Sequence, residues 1–102
     1  MEIPKTLKIC GLNYDVVIDD NLFFEKGAVG THNAERLMIT LHTQGVNDQR
    51  LVQTLLHEII HAIDEHFMSQ SLDEKQVNAF AAGFYQVLAD NDIYDLLKIG
   101  AE

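Results

Sequence analysis

Asn47-Asp48-Gln49-Arg50-Leu51-Val52-Gln53-Thr54-Leu55-Leu56-His57-Glu58-Ile59-Ile60-His61-Ala62-Ile63-Asp64-Glu65-His66-Phe67 is the stretch on which the reading of this chain turns. Leu51, Val52, Leu55, Leu56, Ile59, Ile60, Ile63 and Phe67 recur at spacings of three and four with no Gly or Pro between them, which is the pattern of one helix face. The spacing predicts one long helix over about 47–67. With His57 set at 0°, the apolar residues fill an arc from about 120° to 300°, and Gln53, Thr54, His57, Glu58, His61, Asp64 and Glu65 fill the remainder. The apolar arc is expected to face the core, with Ile59 and Ile63 buried near its centre. The two His are then not a buried core pair.

On the C-terminal side, Ser69-Gln70-Ser71 punctuates the pattern, and Ser71-Leu72-Asp73-Glu74 has the S-x-x-E form of a capping box. A second helix, antiparallel to the first because the connection is short, is expected over about 71–89. It should bury Val77, Phe80, Ala81, Phe84, Val87 and Leu88. A last short helix is expected at about 92–99. On the N-terminal side, Leu7 and Ile9, then Tyr14, Val16 and Ile18, alternate at period two about Cys10-Gly11-Leu12-Asn13, which suggests a hairpin. Residues 27–32, the Asn33-Ala34 turn and Leu37–Leu41 read as two further strands. The expected fold is α+β: three or four short strands within about residues 3–42, mostly antiparallel, packed on the long helix.

The whole chain is 102 residues, enough for a single domain with one core and too short for two. Seven Lys and Arg against sixteen Asp and Glu give a formal net charge of −9, which repels phosphate backbones and anionic headgroups, so neither nucleic acid nor membrane is an expected partner. Cys10 is the only cysteine, which excludes an internal disulfide and a paired-thiolate metal site and suits a reducing compartment. It reads as a small strand residue. With no secretory pattern at the start and no apolar run long enough to span a bilayer, a cytoplasmic location is expected.

Within the long helix, His57-Glu58-Ile59-Ile60-His61 forms H-E-x-x-H. Residues i and i+4 lie about 40° apart and one turn removed, so both imidazoles can face one ion while Glu58 reaches its flank. Imidazole suits zinc, and a zinc ion with three protein ligands and one open position activates water that an adjacent carboxylate can deprotonate. That chemistry is amide hydrolysis. Three residues compete to be the third ligand. His66 is about 140° around the helix from His61, and Asp64 stands about 10 Å along the axis from His57, which suits it better to a supporting or surface place. Glu74, on the neighbouring helix, completes a two-His, one-Glu site once a mismatch of about 4 Å along the axes is absorbed by helix tilt and a long side chain. Its competing role is the capping box. Asn78, one turn beyond Glu74, is placed to accept the spare ring N–H of a ligand His or to pack between the helices. His32, His42 and Tyr94 are candidates to line the cleft.

The chain resembles the zincin metallopeptidases at these positions, and within them the gluzincin branch, in which H-E-x-x-H supplies two ligands and a Glu of the next helix the third. The likeness is strongest to the ImmA/IrrE type found in phages and mobile elements. Its T-L-x-H-E-x-x-H run is matched by Thr54-Leu55-Leu56-His57-Glu58-Ile59-Ile60-His61, and its E-x-x-A-N-x-F-A run by Glu74-Lys75-Gln76-Val77-Asn78-Ala79-Phe80-Ala81, with Val77 where the family usually has Ala. The resemblance implies zinc ligands at His57, His61 and Glu74, a general base at Glu58, and a sheet-edge strand at Leu37–Leu41 along which an extended peptide lies. By family analogy it also implies a peptide or protein substrate such as a helix-turn-helix repressor. The leading expectation is a zinc-dependent peptidase. The alternative is a zinc-binding regulatory or interaction module without turnover, for which Glu58 would be superfluous.

Overall fold

The computed structural model describes residues 2–91, so the expected helix at about 92–99 and Tyr94 lie outside the described residues. Strands β1 (Thr6–Ile9) and β2 (Leu12–Ile18) form an antiparallel hairpin whose register pairs Ile9 with Leu12. That pairing leaves Cys10 and Gly11 as a two-residue turn, both left-handed at φ 54° and 77°, the geometry that matches strand twist. Cys10 is therefore a turn residue and not a strand residue. A short helix α1 (Leu22–Lys26) follows, which the alternation of the first half did not predict, and then strands β3 (Gly30–Asn33) and β4 (Met38–Leu41).

The four strands form one sheet in the order β1-β2-β4-β3, with β2 and β4 parallel and the other two pairings antiparallel. The α+β class and the mostly antiparallel sheet hold. The edge does not. β4 carries the residues expected at the edge, yet it is paired on both sides; the edge strands are β1 and β3, and of these β3 is the one beside β4. Local alternation marks a strand but carries nothing about which strand it lies beside, because pairing is settled by distant backbone.

Helix α2 (Asp48–Phe67) begins at the Asn47 cap, whose side chain accepts from the Arg50 N–H at 2.8 Å. Its apolar arc divides between two neighbours. Leu51, Leu55, Ile59 and Ala62 pack on the sheet residues Ile9, Tyr14, Val16, Ile39 and Leu41, whereas Leu56 and Ile60 meet Leu72, Val77 and Ala81 of the next helix. Ile59 is only half-buried and Ile63 is exposed: Ile63 falls in the gap between the two directions, so its expected burial is corrected.

Helix α3 (Glu74–Asp90) starts later than the S-x-x-E reading predicts. The capping box is Asp73 with Gln76: the Asp73 carboxylate accepts from the Gln76 N–H at 2.8 Å, and the Gln76 side chain accepts from the Asp73 N–H at 2.9 Å. Ser71 is instead part of the turn. α3 packs on α2 and away from the sheet, so only Val77 and Ala81 of its expected buried set are covered, while Phe80, Phe84, Val87 and Leu88 are 41–52% exposed. A helix with one main neighbour among the described residues buries one narrow stripe against it. No helix among the described residues is long and apolar enough to cross a membrane.

Candidate metal centre

The turn between α2 and α3 decides where Glu74 stands. Asp64, expected to support the site or lie at the surface, is buried, and its carboxylate accepts from the backbone N–H of Ser71 at 2.9 Å and of Leu72 at 3.3 Å. Its carbonyl accepts from Met68 and Gln70. Ser69 and Gln70 take left-handed φ of 54° and 58°, which folds the chain back at once. The axial mismatch foreseen from spacing is removed by this turn. Because Asp73 and not Ser71 caps α3, Glu74 is the first helical residue, and its carboxylate takes no part in capping.

Glu74 reaches back to α2 and spans both imidazoles. Glu74 Oε1 lies 2.7 Å from His61 Nε2, Glu74 Oε2 lies 3.2 Å from His57 Nε2, and the two Nε2 atoms are 3.0 Å apart. All three ligand atoms fall within 4.8 Å of one another. Bonds of about 2.0–2.1 Å in tetrahedral geometry set ligand atoms about 3.3 Å apart, so two imidazole nitrogens and a carboxylate at these separations fit one divalent ion. Both His are half-buried and Glu74 is 67% exposed, so the group opens to solvent on the α3 side.

Glu58 is on the same helix face but only 6% exposed, because the backbone of β3 lies against it. A Cβ on Gly30 would stand 2.6 Å from Thr54 Cγ2 and 3.2 Å from Glu58 Oε2, so only glycine lets the edge strand approach this closely. Gly30 is the site residue that reading the sequence missed. Its signal was an isolated glycine within a strand pattern. Burial away from water, followed by the negative charge of Glu74, raises the Glu58 pKa from the ordinary 4.5 to about 7.

The His57, His61 and Glu74 group opens into a cavity of about 570 Å³ whose walls include Gly30, Arg50, Gln53, Glu58, Asn78 and Ala82. A second cavity of about 490 Å³ adjoins it, lined by Thr31, His32, Glu65, Gln70 and Leu72, and it shares Glu58 and His61 with the first. Asn78 lines the first cavity, but among the described residues its side chain makes no hydrogen bond to either imidazole. His66, set aside as a ligand, points elsewhere: its Nε2 is 2.6 Å from the Tyr14 hydroxyl, which is also 2.8 Å from His32 Nε2. His42 is buried between Phe23 and Phe24, and its Nδ1 accepts from the Phe23 N–H at 3.3 Å. Of the cleft candidates, His32 lines the second cavity and His42 lines neither.

No family model, curated protein or solved structure matches this chain.

Proposed function

We propose that the protein is a zinc-dependent peptidase of the gluzincin kind, with His57, His61 and Glu74 as ligands and Glu58 as general base. The observation that carries this reading is the convergence of His57 Nε2, His61 Nε2 and the Glu74 carboxylate at 2.7–3.2 Å, with Glu58 buried on their flank at the floor of an open cleft. When bound, zinc supplies charge that brings the pKa of a coordinated water toward neutrality and polarises a carbonyl.

The chain's own groups do the remainder. Glu58, buried against Gly30 of β3, keeps its carboxylate in a desolvated place, where it takes the proton from the attacking water and returns it to the departing amine. The free side of β3, running from the first cavity at Gly30 to the second at His32, offers backbone N–H and C=O groups to an extended chain. This gives β3 the recognition role that the resemblance assigned to Leu37–Leu41. A substrate laid there passes Glu58 and His61, which line both cavities.

The rival, a zinc-binding interaction module, draws support from the exposed apolar stripe Phe80, Phe84, Val87 and Leu88 on α3. One experiment separates the two. Protein loaded with zinc to one equivalent is incubated with a broad set of unfolded proteins and peptides, alongside Glu58→Gln protein of the same zinc content. Cleavage by the wild type that the variant loses supports the peptidase; absence of cleavage by a fully loaded wild type overturns it in favour of the module.

A further inference from the structure

The groove formed by the two cavities carries opposite charges at its two ends. Among the described residues Arg50 is the only Lys or Arg lining either cavity, and its guanidinium forms no ion pair. No other Lys or Arg among the described residues forms an ion pair either, so what sets Arg50 apart is its place on the cavity wall, as a free cation in a chain with sixteen acidic and seven basic residues. Arg50 precedes His57 by seven residues, two turns of α2, so it stands on the same face about 10 Å toward the N-terminal end. Glu65 follows His61 by one turn, about 6 Å the other way, and lines the second cavity. It too has no ion-pair partner among the described residues. Of the other two carboxylates of that cavity, Asp64 is already engaged by the Ser71 and Leu72 N–H groups, and Glu58 is buried beside His57 and His61.

The edge strand follows the same line. β3 meets Thr54 and Glu58 at Gly30 and has its His32 ring 6.5 Å from that of His66, so it advances along α2 in the direction from Arg50 toward Glu65. An extended chain rising about 3.4 Å per residue along that edge brings a residue about three positions from the cleaved bond level with Arg50, and one about two positions away on the other side level with Glu65.

Resting on the peptidase reading, we propose that this groove selects polypeptide segments of asymmetric charge: a carboxylate on the Arg50 side of the cleaved bond and a cationic side chain on the Glu65 side. Arg50 holds the carboxylate with two parallel N–H donors, and Glu65 receives a Lys or Arg. The ends also reject the reversed segment, because each then meets its own charge. Either an Asp or Glu side chain or a free chain terminus supplies the carboxylate.

The test is a positional scan of neutral decapeptides, C-terminally amidated, each with one Asp or one Lys, presented to the zinc-loaded full chain. Binding is read by fluorescence anisotropy and cleavage by kcat/KM. On the Arg50 side, Asp should be favoured over Lys by about 5- to 20-fold at one position, with Lys favoured on the opposite side. Arg50→Gln should flatten the first preference and Arg50→Glu should invert it, leaving the second in place; Glu65→Lys should invert only the second. A free-carboxyl series that alone shows the preference assigns Arg50 to a chain terminus. Peptides bound with this pattern but never cut uphold the groove's selectivity and overturn the peptidase reading. A scan flat in both readouts, or one that Arg50→Glu leaves unchanged, overturns the proposal.

Discussion

Two pairs of histidines lie along α2, one within the helix and one joining its end to β3, and they differ in what lies between them. His57 and His61 converge on a carboxylate that is largely exposed, at the mouth of a cleft. His32 and His66 converge on the hydroxyl of Tyr14, a side chain with no solvent exposure, and no carboxylate joins them within hydrogen-bond distance among the described residues. The first group is a set of donors held open for something else. The second is closed on itself: the phenol donates to one imidazole and accepts from the other, and so ties β2, β3 and the end of α2 together. Proximity of imidazoles is thus no sign of metal binding. An anionic third member and an open side are what distinguish a ligand set from an internal clamp.

The largest expected effect breaks the comparison outright if it fails. His61→Ala should remove bound zinc from about one equivalent to none and abolish cleavage, whereas His66→Ala should keep the metal; elemental analysis of both variants reads this directly, and loss of zinc from His66→Ala would exchange the two roles. Glu74→Ala should weaken zinc binding by a large factor without unfolding the chain, since it deletes the one charge in the set.

Glu58→Gln comes next. Cleavage should fall by about 10²- to 10⁴-fold with zinc content unchanged. Equal rates in both proteins would assign the proton transfer to another group. The same variant sharpens the electrostatic side in metal-free protein. With its folded pKa raised to about 7 against an ordinary 4.5, Glu58 is protonated when folded and ionised when unfolded between those values, so its ionisation destabilises the fold as pH rises through that window. Glu58→Gln should therefore be more stable than wild type by about 2–3 kcal/mol at pH 8 and should match it near pH 4. Urea denaturation at the two pH values measures the difference, and a gap that grows toward acid would show the burial of Glu58 to be wrong.

The smallest effect concerns the clamp. Tyr14→Phe should cost about 1–3 kcal/mol, because two part-buried imidazole nitrogens lose their shared partner. Zinc stoichiometry should not change. Burial lowers the His32 pKa, and the neighbouring His61 and His66 add to that against the opposing pull of Glu65, so acid should weaken this cluster in the wild type. A thermal melt series in pH reads both.

What the sequence determined by itself is the helix 48–67, its H-E-x-x-H face, the β1–β2 hairpin and the nomination of Glu74, because each is a periodicity or a spacing within one short stretch, fixed by the 3.6- and 2-residue repeats of the backbone. The third member of the group, Glu74, already needed a second segment, and it was legible because the two helices are joined by a short turn. Only the tertiary structure decided that β4 lies inside the sheet and β3 at its edge, that Gly30 makes room for Glu58, that Asp64 folds the turn which delivers Glu74, and that most of the apolar face of α3 stays uncovered. Each of these depends on which distant segment comes to lie against a residue. A side chain's identity states what it can bond to, and the packing of the whole chain decides which partner arrives.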